Sequence, residues 1–83
     1  MTNEELAAEV MRLGDGSYLE VKVLEDGSIA AVGNLLFTRA IYLGCDLYGW
    51  TKRFCFDNRQ LASSEFAKLK TEDDEPQGFT ARR

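Results

Sequence analysis

Residues Leu35 to Phe56 read LLFTRAIYLGCDLYGWTKRFCF. The stretch holds both cysteines, the single tryptophan and three of the five phenylalanines, so any core must be built around it. Its first arm, Leu35–Gly44, is too continuously apolar at its start for a half-exposed strand, which predicts a central strand. Leu35, Phe37, Ile41 and Leu43 fall on one face of that arm, with Arg39 the exception among them. Cys45–Gly49 reads as a turn. Trp50–Phe56 returns with Phe54 and Phe56 on one face and Arg53 and Cys55 on the other.

Upstream, Thr2 and Glu5 have the spacing of a capping box, in which the hydroxyl and the carboxylate each take a free backbone N–H. Leu6, Val10 and Leu13 then recur at helical spacing and Gly14 offers a stop, giving a helix over about residues 3–13, with Asp15-Gly16-Ser17 leading out. Leu19, Val21 and Val23 alternate with Glu20 and Lys22, a strand pattern. Asp26-Gly27 signals a hairpin of the two-residue type I′ kind. Ser28–Val32 is the returning strand, and Gly33-Asn34 is expected to interrupt it as a turn or bulge.

Downstream, Asp57 and Gln60 suggest a second capping box, followed by Leu61, Ala62, Phe66 and Leu69 as the buried stripe of a helix to about Lys70. The acidic loop TEDDEPQG, residues 71–78, breaks that helix. Phe79–Arg82 is expected to form a short edge strand, with Phe79 plugging the core and Arg82 and Arg83 in water. The expected architecture is a single α+β domain over residues 1–83, an antiparallel sheet of four to five strands with two helices packed on it, in the order α-β-β-β-β-α-β.

Size and charge narrow the function. Eighty-three residues support one core and a net stability of only ~5–10 kcal/mol, for which self-association or partner binding is a natural supplement. No apolar run approaches a membrane span, and the acidic, amphipathic N-terminus is wrong for a signal peptide, so a cytosolic protein is expected. The net charge of −4 is uneven: residues 1–28 carry −5, residues 29–70 carry +3 and residues 71–83 carry −2. A nucleic-acid-binding domain usually shows a basic balance and a dense Lys/Arg cluster instead.

The absence of histidine removes Ser-His-Asp and Cys-His nucleophile systems and the usual zinc ligand sets. Cys45 and Cys55 fit no metal or redox spacing. They flank a turn and could face each other across a hairpin as a disulfide; the plainer reading is two free thiols in a reducing compartment. No glycine-rich phosphate loop is present, and the carboxylates lie mostly in solvated helix starts and turns. No catalytic residue, metal ligand or cofactor is therefore expected. Binding chemistry is better represented. Tyr48 and Trp50 lie at the central turn with Lys52 and Arg53 beside them and Arg39 on the facing strand, and aromatics with arginine dominate interface hot spots. Trp50 and some of the tyrosines could equally be core residues with polar tips in water. Asp73, Asp74 and Glu75 form a solvated loop or offer carboxylates to a basic partner.

Residues 35–83 resemble small uncharacterised proteins encoded by bacteriophages and prophages. The resemblance lies in the apolar arm LLFTRAIYLG, the Tyr48-Gly49-Trp50 turn, the Arg53-Phe54-Cys55-Phe56 strand, an alanine-containing helix and the ending EPQGFTARR. Small acidic phage proteins of this kind look like the population that includes anti-CRISPR and other anti-defence inhibitors, which generally occupy a surface of a nuclease complex. The resemblance implies a non-enzymatic inhibitor acting in the bacterial host cytosol on a defence or nucleic-acid-processing complex, such as a CRISPR effector. It carries no catalytic residue across. The alternatives are a structural or regulatory homodimer joined through a sheet edge or the aromatic face, and a small nucleic-acid-binding domain stacking bases on Tyr48 and Trp50 beside Lys52 and Arg53.

Overall fold

Local sequence signals start each helix. The computed structural model describes residues 2–14 and 16–82, apart from the side chains of Ala81 and Arg82. Asp15 of the Asp-Gly-Ser turn, the Arg82 side chain and Arg83 therefore lie outside the described residues. Helix α1 spans Asn3–Leu13 and opens on the expected box: Glu5 N donates to Thr2 Oγ1 at 3.1 Å, and Thr2 N donates to Glu5 Oε1 at 3.2 Å. Gly14 closes it for a packing reason, since a Cβ there would sit 2.7 Å from the Tyr18 ring.

Strands β1 (Glu20–Val23), β2 (Ile29–Asn34), β3 (Arg39–Leu43) and β4 (Lys52–Phe56) precede helix α2 (Arg59–Lys68) and the two-residue strand β5 (Ala81–Arg82). Each strand pairs antiparallel with the next, giving the sheet order β1-β2-β3-β4-β5. The architecture is the α+β arrangement that the alternation patterns imply.

The two helices cover opposite faces. Ala30, Val32, Ile41, Leu43, Phe54 and Phe56 meet Ala62 and Phe66 of α2 and Leu69 just beyond it. Ile29, Ala31, Ala40, Tyr42 and Cys55 share the other face with Ala7 and Val10 of α1. Five consecutive residues of β2, Ile29–Gly33, are buried on this account, which is why its sequence shows no polar alternation. Phe79 packs edge-on against Phe54 with ring centroids 5.1 Å apart, so the expected plug is in place.

Four local expectations are corrected. The Asp26-Gly27 hairpin is a three-residue loop: Gly27 N donates to Leu24 O at 3.0 Å, Leu24 N to Ser28 O at 2.8 Å, and Gly27 takes φ +85° as the bulge residue. Asp26 selects this form by accepting from the Ser28 N–H and hydroxyl. Gly33-Asn34 does not interrupt β2. Glycine is required because the Ser17 carbonyl lies against its Cα, where a Cβ would collide with the oxygen. The cap of α2 is Asn58, whose Oδ1 accepts from Leu61 N at 3.0 Å, one residue after the expected Asp57.

The fourth correction concerns the start of the central arm. Residues 35–38 are not strand but the turn between β2 and β3, closed by Leu35 N donating to Thr38 O at 2.7 Å. The Asn34↔Arg39 register leaves these four residues to reverse the chain. Leu35 folds back onto the α1-side core, whereas Leu36 and Phe37 are each 83 % exposed.

The last strap is polar. Glu65, buried on α2, accepts from Gln77 N at 2.8 Å and pairs with Lys68 at 3.0 Å, which brings the buried Pro76 and then Phe79 across the sheet. Gly33→Ala is expected to cost about 1–3 kcal/mol by overpacking, seen as a lower urea midpoint at unchanged slope; an unchanged midpoint would contradict the close approach. In the same assay Asn58→Ala should cost about 1 kcal/mol and Asp57→Ala close to nothing, the reverse result placing the cap at Asp57.

Candidate functional site

Strand connectivity decides which candidate residues meet. The β1–β2 loop, the β3–β4 loop and the C-terminal end of α2 all lie at one end of the sheet, and the 35–38 turn lies at the other. Residues 44–51 form the β3–β4 loop, and Asp46 organises it: its Oδ1 accepts from Tyr48 N at 2.7 Å and Gly49 N at 2.9 Å, while its own N–H donates to Gly49 O. Such a side-chain-to-backbone turn fixes the loop without help from a core. Gly44 (φ +69°) permits the sharp exit from β3.

This brace holds Tyr48 out in solvent at 96 % exposure. Trp50, at 38 %, is half embedded: its ring lies 5.6 Å from that of Tyr42, which in turn meets Tyr18 edge-on at 5.2 Å. The Arg53 guanidinium sits 5.1 Å from the Trp50 ring centroid in a cation–π contact. Burial raises the Tyr42 phenol above its usual pKa, with the Arg53 charge partly offsetting that rise. Arg53 Nε is the one buried side-chain polar atom among the described residues without a hydrogen-bond partner. Tyr48, Trp50 and Arg53 thus form one surface, the outer end of an aromatic row running from Tyr18.

Lys52 leaves β4 on the other face, where its Nζ donates to Glu72 O at 3.3 Å. That contact joins the 71–75 segment to the base of the same loop. Asp26 Oδ2 accepts from Glu72 N at 3.0 Å, Lys70 O accepts from Glu25 N at 2.8 Å, and Asp74 Oδ2 accepts from Lys70 N and Thr71 N. Asp73, Asp74 and Glu75 therefore belong to the end that carries Tyr48. Asp74 faces inward as the brace of its own turn, while Asp73 and Glu75 are exposed.

Arg39 does not join them. It pairs with Phe56 at the opposite end of β3, donating from Nε to Asn34 Oδ1 at 3.0 Å and from a terminal nitrogen to Ser63 Oγ at 2.7 Å. Its role is to tie the strand to α2. The feature that sequence reasoning missed lies beside it: the bare tip formed by Leu36 and Phe37. Their apolar character reads as burial, and only the strand register reveals that they are turn residues.

Cys45 and Cys55 are both buried and free. Burial, with Asp46 nearby, pushes the Cys45 thiol up to about 12, so it is not an activated nucleophile. Among the described residues no cluster of cysteine and acidic side chains could hold a metal ion, and no helix is long and apolar enough to cross a membrane.

Three carboxylates of the acidic end have pKa values below the ordinary range, and backbone bonds are the main cause: Asp26 from Glu72 N–H, Asp74 from Lys70 N–H, and Glu65 from Gln77 N–H with Lys68 adding to it. These bonds favour the ionised forms, so they are complete above the ordinary carboxylate pKa of about 4 and are lost as pH falls through the lower folded values. Amide resonances of Thr71, Glu72 and Gln77 should accordingly shift together below about pH 4, with midpoints under those of the exposed acids. Midpoints equal to those of free carboxylates would contradict the bracing. Protein-family models, curated proteins and solved structures contain no match to this chain.

Proposed function

We propose that the protein is a non-enzymatic binding module that acts by covering a surface of a protein partner. The observation that carries this reading is Tyr48, an almost fully exposed tyrosine on a loop braced by Asp46, next to Trp50 stacked on Arg53. A solvated aromatic contributes nothing to folding, and a rigid loop loses little entropy when it docks. Tyrosine, tryptophan and arginine are the residue types in which binding energy concentrates.

The surrounding charge favours a basic protein partner. Asp46, Asp73 and Glu75 are exposed at the same end as Tyr48, and carboxylates there would repel phosphates and attract lysine or arginine. The phage resemblance makes the class of partner a bacterial defence or nucleic-acid-processing complex, whose nucleic-acid-binding surfaces are basic. An acidic module with an aromatic anchor would compete for such a surface, as an inhibitor of the anti-CRISPR kind does.

Affinity capture from bacterial lysate with the wild-type chain and with Tyr48→Ala/Trp50→Ala side by side tests the reading. The expected result is a nuclease or helicase subunit retained by the wild type and reduced at least about tenfold by the double substitution, each hot-spot truncation costing about 1–2 kcal/mol. Circular dichroism should show both proteins folded. Equal capture by the two, or capture of no such subunit, would remove this function.

A further inference from the structure

The exposed edge of the sheet carries a second surface, away from the Tyr48 loop. Strand β1 is an edge strand, paired among the described residues only with β2. In an antiparallel ladder the pairs exchanging hydrogen bonds alternate. The Leu24–Ser28 bond sets that alternation here, so Lys22 points its N–H and C=O towards β2 and Val21 and Val23 point theirs outward. Beside this edge runs an open groove of about 430 Å³ between β1 and α1, lined by Glu4, Ala7, Ala8, Met11, Val21 and Val23 together with Lys22. Met11 on its wall is 40 % exposed.

We infer that this edge pairs with a second copy of the chain, β1 against β1 about a two-fold axis at Val21, to give one continuous sheet across the dimer. Charge complementarity selects both the occupant and the register. With Val21 opposite its own mate, Glu20 lies opposite Lys22 of the second copy and Lys22 opposite the second copy's Glu20. Beyond Glu20 the pairing ends, because Leu19 is a bend residue whose N–H already donates to Val32 O at 2.7 Å. Shifting the register by two residues in one direction sets Lys22 against Lys22, and in the other sets Glu20 against Glu20. Only one two-fold register that uses the outward groups of Val21 pairs opposite charges, and like charges directly across a ladder are destabilising.

The rest of the surface agrees with that register. Lys22 already has its Nζ fixed, 2.6 Å from Phe66 O and 4.4 Å above the Phe66 ring, so it would meet the incoming carboxylate with little loss of freedom. Glu20 is exposed and has no cation partner among the described residues. A single lysine on an edge strand ordinarily discourages pairing; here Glu20, two residues before it on the same face, makes the strand selective for its own antiparallel copy. On the groove side α1 runs antiparallel to β1, since Asn3 lies against Gly27 at the far end of the hairpin. The two helices would therefore meet antiparallel, with Ala8 near the axis and the acidic first turn of one towards Arg12 of the other.

Light scattering coupled to size exclusion, over a range of concentrations, should show wild-type mass rising towards twice 9.3 kDa. Glu20→Lys and Lys22→Glu, each alone, should raise the dimer dissociation constant about tenfold or more, because each turns two attractive pairs into two like-charge pairs. Mixing the two variants should restore a dimer, since every cross-strand pair is then opposite in sign; this arm also shows that both variants are folded. Val21→Pro, which removes an outward N–H, should abolish pairing. A monomer at every concentration overturns the second copy as occupant, leaving the groove to a strand from a different chain. A dimer untouched by either charge substitution, or one not restored on mixing, overturns the β1 register.

Discussion

Burial of one small sheet on both faces is the constraint on which the structure depends. Eighty-three residues cannot surround five strands with thick layers, so each face is covered by a single helix. The strands must then be apolar on both sides at their centre. Ala31 and Ala40 lie under α1's side of the sheet while Phe54, Phe56 and Ile41 fill the α2 side. Gly33 follows from the same economy: with no side chain there, the connection from α1 can press its backbone onto β2.

Because every strand pairs with its neighbour in sequence, the connecting turns alternate between the two ends of the sheet. That simple topology sorts the surface. The acids of the 24–28 loop, Asp46 and the 71–75 segment are delivered to one end, and the apolar Leu36–Phe37 tip with Arg39 and Arg59 to the other. The acidic end is also the better braced of the two, since Asp26, Asp46 and Asp74 each accept from two or more donors within or between its loops. Tyr48 stands on that braced end, which gives its exposure a different meaning from that of a residue on a loose loop.

Much of this was legible in the sequence where local chemistry decides. The Thr2–Glu5 box, the two helices, the alternation of Val21 and Val23 and the facing of Phe54 and Phe56 all follow from spacing alone. The readings that failed depended on register or on distant contacts. Leu36 and Phe37 are as apolar as any core residue, and the turn signal nearest them, Gly33-Asn34, falls on the end of β2 rather than on the turn itself. Gly33 looks like a strand breaker until the Ser17 carbonyl is found against it. Arg39 is close to Tyr48 in sequence terms yet a strand's length away, because it stands at the start of β3 and the loop at its end. Within the proposed site, the grouping of Tyr48, Trp50 and Arg53 was legible, whereas the bracing by Asp46 and the joining of the 71–75 segment through Lys52 were not.

The sheet order also bears on how fast the molecule forms. The first four strands need no partner from a remote part of the chain: β1 to β2, β2 to β3 and β3 to β4 are each closed by a loop of eight residues or fewer, and only the two-residue β5 joins from beyond α2. Loop-closure entropy is small at such lengths. Chains dominated by near-neighbour pairings fold faster than β-rich domains with crossing connections, and they spend less time with unpaired edges exposed. A domain with a bare apolar tip and an open β1 edge gains most from that speed, because its sticky surfaces are held in their native, charge-guarded geometry soon after the chain collapses.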